Sequence, residues 1–184
     1  IRTHIIGYDY SLIHLRTFTI SFWVKSSITG TFSVSFQNAA GDASINRSFT
    51  VNAASTWERK AITTDISTTP NSGSYNQTSG AGLKVSFCLA AGTSQIQADN
   101  TWFSGASDAA TGQTNFVSAT SRTFQIAAIQ VEAGNAASSF ERRPGKVELD
   151  NTRYYYQKWT ATNHNVVGSG YLSTTTSALI TGVL

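Results

Sequence analysis

Between Thr17 and Lys25 the chain reads Thr-Phe-Thr-Ile-Ser-Phe-Trp-Val-Lys, with Phe18, Ile20, Phe22 and Val24 at every second position. Successive side chains of a strand point to opposite faces, so this spacing puts four apolar groups on one side. The other side, with Thr17, Thr19, Ser21 and Lys25, is expected to meet water. Trp23 interrupts that polar side with a large aromatic. Such a residue suits a binding sheet, and it equally suits a strand whose outer face lies beneath a loop.

The same two-residue period returns along the chain. Phe32, Val34 and Phe36 are in phase within Thr31–Gln37, and Ile45, Phe49 and Val51 share a face on which Arg47 also falls. Trp57–Thr63 is a weaker match and Leu83–Leu89 a clear one. In Phe124–Val131 the apolar phase slips at Ala127-Ala128, which predicts a bulge. Short alternating runs bounded by Gly, Asn, Asp and Ser predict an antiparallel sandwich or barrel. No long segment of helical period occurs before Pro144.

The 184 residues hold one sandwich-sized domain and a remainder. Ten Phe, four Trp and seven Tyr suffice for its core, since one ring buries about 150–250 Å². Charged residues make up only 12%, and the net charge of +3 contains no dense basic run. Nucleic-acid binding needs clustered cations to neutralise phosphates, so it is not expected. No apolar run approaches the ~20 residues of a membrane helix, so membrane insertion is not expected. The single cysteine, Cys88, lies within an alternating strand and reads as a small buried hydrophobe. A fold without disulfides is compatible with assembly in a reducing cytoplasm, even for a protein that works outside the cell. The chain begins at Ile1, so an excerpt or a processed form is expected. Asn46-Arg-Ser48 and Asn76-Gln-Thr78 match the glycosylation sequon, a match that Asn- and Thr-rich chains produce by chance.

Two long polar stretches, Thr68–Gly82 and Gly92–Gly112, separate the strands, and the second carries Trp102-Phe103. Loops this long are functional or disordered, and aromatics within one cover something or hold something. Pro144 removes a backbone donor and turns the residue before it away from helix, so the sheet is expected to end there. The chain thus divides near Glu141 into a sandwich over 1–143 and a strand-rich segment over 144–184. In the latter, Lys146–Thr152 predicts a short helix. Arg153-Tyr-Tyr-Tyr-Gln-Lys-Trp159, Val166–Leu172 and Ala178–Leu184 predict strands. So few strands are marginal alone. They call for the sandwich, further sequence or other copies of the chain as a partner. Tyr154, Tyr155, Tyr156 and Trp159 are the candidate oligomer interface.

Several segments together carry a resemblance. They are Thr19–Ser27, Gly30–Asn38, Phe49–Trp57, Gly82-Leu-Lys-Val-Ser-Phe, Ile129-Gln-Val-Glu-Ala-Gly, and Phe140-Glu-Arg-Arg-Pro followed by Arg153-Tyr-Tyr-Tyr. In this order, from about Gly7 to Lys158, the chain resembles a domain of tailed-bacteriophage tail-fibre proteins. The resemblance implies a jelly roll similar to carbohydrate-binding modules, displayed on the virion tail and often trimeric. It also implies other tail proteins as partners and a host surface glycan as ligand. Members of that family usually continue beyond the point where this chain ends. Many have Cys-Gln-Arg-Tyr-Tyr where this one has Asp150-Asn-Thr-Arg-Tyr.

Catalysis is not expected. His4, His14 and His164 are scattered, no Gly-x-Ser-x-Gly elbow occurs, and no two carboxylates are paired by spacing. Asp9, Asp42 and Asp65 are isolated, so no metal site is assigned, and no cofactor is implied. Sugar binding has the better physical case, because the C–H face of a pyranose stacks on aromatics while amides and carboxylates satisfy its hydroxyls. The candidates are Trp102, Phe103, Asp99 and Asn100 in the second long loop, Tyr75 and Asn76 in the first, and Trp23 on a sheet face. Trp57, which opens a strand just after a turn, is expected to pack away. A tail-fibre or receptor-binding domain is the leading expectation. A purely structural virion part (baseplate, collar or head fibre) or a bacterial carbohydrate-binding module is the alternative.

Overall fold

A computed structural model describes residues 1–67, 73–155, 169–172 and 178–181, with 154–155 and the last two segments as backbone alone. The chain forms two compact units, Ile1–Glu141 and Arg142–Leu184.

The first unit is an antiparallel β-sandwich. Its strands are β1 (Arg2–Ile6), β2 (Thr17–Ser26), β3 (Gly30–Asn38), β4 (Ser44–Val51), β5 (Glu58–Asp65), β6 (Ala81–Cys88), β7 (Ile96–Gln97), β8 (Trp102–Phe103), β9 (Ala109–Ala110) and β10 (Phe124–Ala133). A five-residue helix, α1 (Gly7–Ser11), follows β1. One main sheet has the order β1-β6-β3-β4-β8 and the other β10-β2-β5, while β7 and β9 pair in parallel with each other. This order makes the unit an all-β sandwich without by itself assigning the jelly-roll connectivity.

The alternating apolar residues fill the space between the sheets. Phe18, Ile20, Phe22 and Val24 from β2 and Phe32, Val34 and Phe36 from β3 are all fully buried. Rings from opposite sheets meet edge to face: Phe18 with Phe36 at 4.9 Å, Phe22 with Phe49 at 5.0 Å and Phe22 with Phe87 at 4.9 Å. That geometry sets the positive edge of one ring against the negative face of the next. In β10 the register with β2 shifts between Ala127 and Gln130, and Ala128 adopts φ 50°. The predicted bulge is there, and it returns Val131 to the inner face opposite Ile20.

Arg47, in phase with the core, reaches across the open side of the sandwich. Its Nη1 donates to the Thr63 carbonyl of β5 and lies 3.5 Å from Thr64 Oγ1. This inward arginine meets one backbone carbonyl and one hydroxyl of β5, while its buried Nε has no partner among the described residues.

The outer, polar face of the five-stranded sheet does not meet water, contrary to the sequence expectation. Ser33, Ser35, Ser44 and Asn46 are at most 1% exposed. The chain between β6 and β10 lies over them. Ser35 Oγ donates to the Ser107 carbonyl (2.6 Å), and the Ala110 amide donates to Ser33 Oγ (2.8 Å). Asn46 Nδ2 donates to Ser107 Oγ (3.0 Å) and to the Ala109 carbonyl (2.7 Å). Ser44 Oγ donates to the Gly105 carbonyl and shares a 2.7 Å hydrogen bond with Ser107 Oγ. Hydroxyls and an amide here serve as a polar seam that satisfies loop backbone, which is what burial of polar groups requires.

The second unit contains α2 (Gly145–Tyr155) and a hairpin of β11 (Ser169–Leu172) with β12 (Ala178–Thr181). The helix was predicted for Lys146–Thr152, but it runs three residues further. Arg153, Tyr154 and Tyr155 therefore form its last turn, not a strand. Glu148 in the first turn and Arg153 in the last complement the helix dipole, and Thr152 Oγ1 donates to the Glu148 carbonyl at 2.7 Å. The rest of the predicted strand, Tyr156 and Trp159 included, lies outside the described residues. So do the side chains of Tyr154 and Tyr155, 166–168 and 182–184.

Candidate functional site

The seven candidate binding residues occupy three separate places. Trp102 and Phe103 form β8, the edge strand paired with β4 through Ile45↔Trp102 and Ser44↔Phe103. Trp102 thereby shares the inner side with Ile45 and packs against the core. Its Nε1 is buried without an acceptor among the described residues. Asp99 is exposed, yet both carboxylate oxygens are engaged by Ser48, one by its amide (2.8 Å) and one by its hydroxyl (3.1 Å). Asn100 takes φ 53°, a left-handed conformation that Asn tolerates better than most residues, and its amide donates to the Asn46 carbonyl at 2.8 Å. This cluster closes the edge of the five-stranded sheet.

Tyr75 lies elsewhere, against the core, stacked on Tyr10 at 6.3 Å and tilted toward His14 at 5.3 Å. Burial raises the Tyr10 hydroxyl above its ordinary pKa, with the Tyr75 hydroxyl adding to it, and burial lowers that of His14. The Tyr10 hydroxyl and His14 Nδ1 are 3.0 Å apart. Asn76 closes a local turn, accepting from the Thr78 amide (2.9 Å) and hydroxyl (3.1 Å) and donating to the Ser79 carbonyl.

Trp23 stands in the third place. It is the middle-strand residue on the outer face of the β10-β2-β5 sheet, opposite Ala127 on one side and Arg59 on the other, and 40% exposed. Half of this face is covered. Thr19 Oγ1 donates to the Gly134 carbonyl (2.8 Å), and Gln130 Nε2 donates to Ser138 Oγ (2.9 Å). Arg59 Nη2 donates to the Ser138 carbonyl. Ser138 in turn gives its amide to Glu132 (2.8 Å), which holds that carboxyl below its usual range. The chain after β10 thus folds over Thr19 and Ser21 and reaches Arg59 beside Trp23, which stays 40% exposed.

Trp57 was expected to pack away but is 42% exposed. It sits one residue ahead of the Val24↔Glu58 pair, the last in the β2–β5 register. Two indoles therefore occupy the same end of one sheet, where diagonal neighbours on adjacent strands are about 7–8 Å apart. Burial along β5 alternates from Trp57 through Ala61, with the odd positions open. Glu58, between Trp57 and Arg59, turns inward. Lys60 donates to it at 2.6 Å, the Ala53 and Asn52 amides at 2.7 and 2.8 Å, and its pKa falls to about 2. That clamp fixes the turn before β5 and so the position of Trp57.

Among the described residues, no three His, Cys, Asp or Glu side chains are grouped to hold a metal, and no helix is long and apolar enough to cross a membrane. The fold and this surface define an antiparallel β-sandwich with one sealed polar face and one open aromatic end. Comparisons with protein-family models, with curated proteins and with solved structures yield no match.

Proposed function

We propose that this chain is a non-enzymatic virion component of a tailed phage, a tail-fibre or receptor-binding domain that contacts host surface glycans. The observation that carries the glycan contact is the exposure of Trp23 and Trp57 at one end of a polar sheet. Such a surface offers flat rings for sugar C–H faces, with Lys25, Arg59 and Gln125 around them for hydroxyls. Of the seven residues singled out in sequence, this reading rests on Trp23. The Trp102 and Tyr75 groups are occupied in holding loops to the sandwich.

A structural virion part is the second reading. It is favoured by Tyr8, Leu12 and Leu15, which are 53%, 65% and 48% exposed within eight residues of α1 and its following turn. Apolar exposure of that kind suits packing between subunits, such as those of a trimer. A glycan-array screen of the chain and of its Trp23→Ala variant, beside a mass measurement in solution, separates the two. Glycan binding lost in the variant at unchanged oligomer size supports the receptor-binding reading. Absence of glycan binding together with an oligomer that Leu12→Ser dissociates supports the structural one.

A further inference from the structure

Charge on the outer face of the β10-β2-β5 sheet is segregated by position. Asp65 and Glu132 pair with Thr17 and Thr19, at the end covered by the chain after β10. Lys25 and Arg59 lie at the other end, Lys25 two residues beyond Trp23 on the same face of β2 and Arg59 directly opposite Trp23 on β5. Ser21, Ala61 and Ala127 between them are neutral. Neither cation has a carboxylate within ion-pair distance among the described residues. Arg59 commits one nitrogen to the Ser138 carbonyl, and its field reaches Glu132. Glu58, the acid nearest in sequence, is turned inward and held by Lys60.

We infer that this end binds an acidic polysaccharide, its rings lying on Trp23 and Trp57 and its carboxylates facing Lys25 and Arg59. This names the ligand class for the glycan contact proposed above and rests on that reading. The physical case is complementarity. An indole face accepts any pyranose, so it supplies affinity without preference. Two flanking cations outside any carboxylate ion pair, Lys25 foremost and Arg59 partly offset by Glu132, lower the energy of a charged sugar and not of a neutral one. With only two cations the attraction is short in range and readily screened, unlike the clustered footprint that nucleic acid requires.

The test uses the full chain with polygalacturonate and alginate, each beside its carboxyl-reduced form, measured by affinity electrophoresis at low and high salt. At least one acidic polymer is expected to bind at least about tenfold more tightly than its reduced form at low salt, the difference shrinking as salt rises. Lys25→Gln, the variant that disturbs no internal hydrogen bond, is expected to cost the acidic form roughly fivefold and the reduced form nothing. Trp23→Ala is expected to weaken both. Equal binding of acidic and reduced forms overturns the acid preference and leaves the glycan contact standing. Unchanged acidic binding in Lys25→Gln, or displacement of the polymer by oligothymidylate at lower concentration than by a uronic-acid oligomer, also overturns it. Binding of none of the four polymers, with the variants folded by circular dichroism, removes the acid preference and, if the glycan array is also blank, the glycan contact itself.

Discussion

Replacing Asn46 with alanine takes two donors out of a seam in which the side chain is fully buried. The Ala109 carbonyl loses its 2.7 Å side-chain donor and keeps its place in the parallel β7–β9 pair, and Ser107 Oγ, losing its 3.0 Å donor, keeps only Ser44. Each bond lost from a buried acceptor that keeps another partner costs about 0.5–1 kcal/mol. Against this, Asn46 Oδ1 has no partner in the seam, so deleting it removes an existing penalty. The balance is a destabilisation of about 1 kcal/mol. With a urea dependence of about 2 kcal/mol per molar, the unfolding midpoint moves down by about 0.5 M. Amide exchange separates this from a general loss of stability. The Ala110 amide, which donates to Ser33 Oγ, is expected to lose protection more than amides in β2. Asn46→Asp is expected to be worse than alanine, because a buried carboxylate cannot donate and carries charge. A midpoint shift below about 0.3 M for the alanine variant, with Ala110 protection unchanged, would refute the account of the seam.

Three further expectations follow from single positions. At Gly82 a Cβ would stand 2.6 Å from Tyr10 Cβ and 2.8 Å from Gly7 Cα. Gly82→Ala is therefore expected to lower the melting temperature by about 5–10 °C, and an unchanged melt would contradict that close approach. Ala128→Gly, at the left-handed bulge position, is expected to be neutral or stabilising by up to about 1 kcal/mol in urea unfolding, and a clear destabilisation would argue against the bulge. Stability is expected to fall on acidification. His14 and Glu58 both have folded pKa values below their ordinary 6.5 and 4.5, so the unfolded chain binds more protons in each window. The loss begins below about pH 6.5 and deepens between about 4.5 and 2, where Glu58→Gln should flatten it in urea titrations at stepped pH.

The fold was legible wherever apolar period and burial coincide. β2, β3, β4 and β6 lie within a few residues of their alternating runs, and the phase slip at Ala127-Ala128 marked the bulge. β1 escaped because Arg-Thr-His-Ile-Ile alternates poorly and is held to the sheet by β6 alone. The tyrosine run after Arg153 reads as strand by propensity, yet its first residues continue a helix already begun at Gly145. Burial of the serine-rich face was not legible. Ser33, Ser35 and Ser44 look alike whether they face water or the backbone of a covering loop, because a hydroxyl satisfies either. For the same reason the loop carrying Trp102 reads equally as a cover for the sandwich edge and as a source of binding residues. What distinguishes it is Asn46 and Ser107, residues far apart in sequence whose meeting no local pattern reveals. Trp23 was legible as an aromatic on a polar face. Trp57 became its companion only through the β2–β5 register.

Hydroxyl-radical footprinting of the intact chain, read at single tryptophans by mass spectrometry, tests directly whether one sheet face is closed and the other open. Trp23 and Trp57 are expected to oxidise several-fold faster than Trp102, whose indole N–H is buried at the edge strand. Trp102 oxidising as fast as Trp23 would contradict the account, since the loop over the serine-lined face would then not be seated and the aromatic end of the other sheet would not be distinctive.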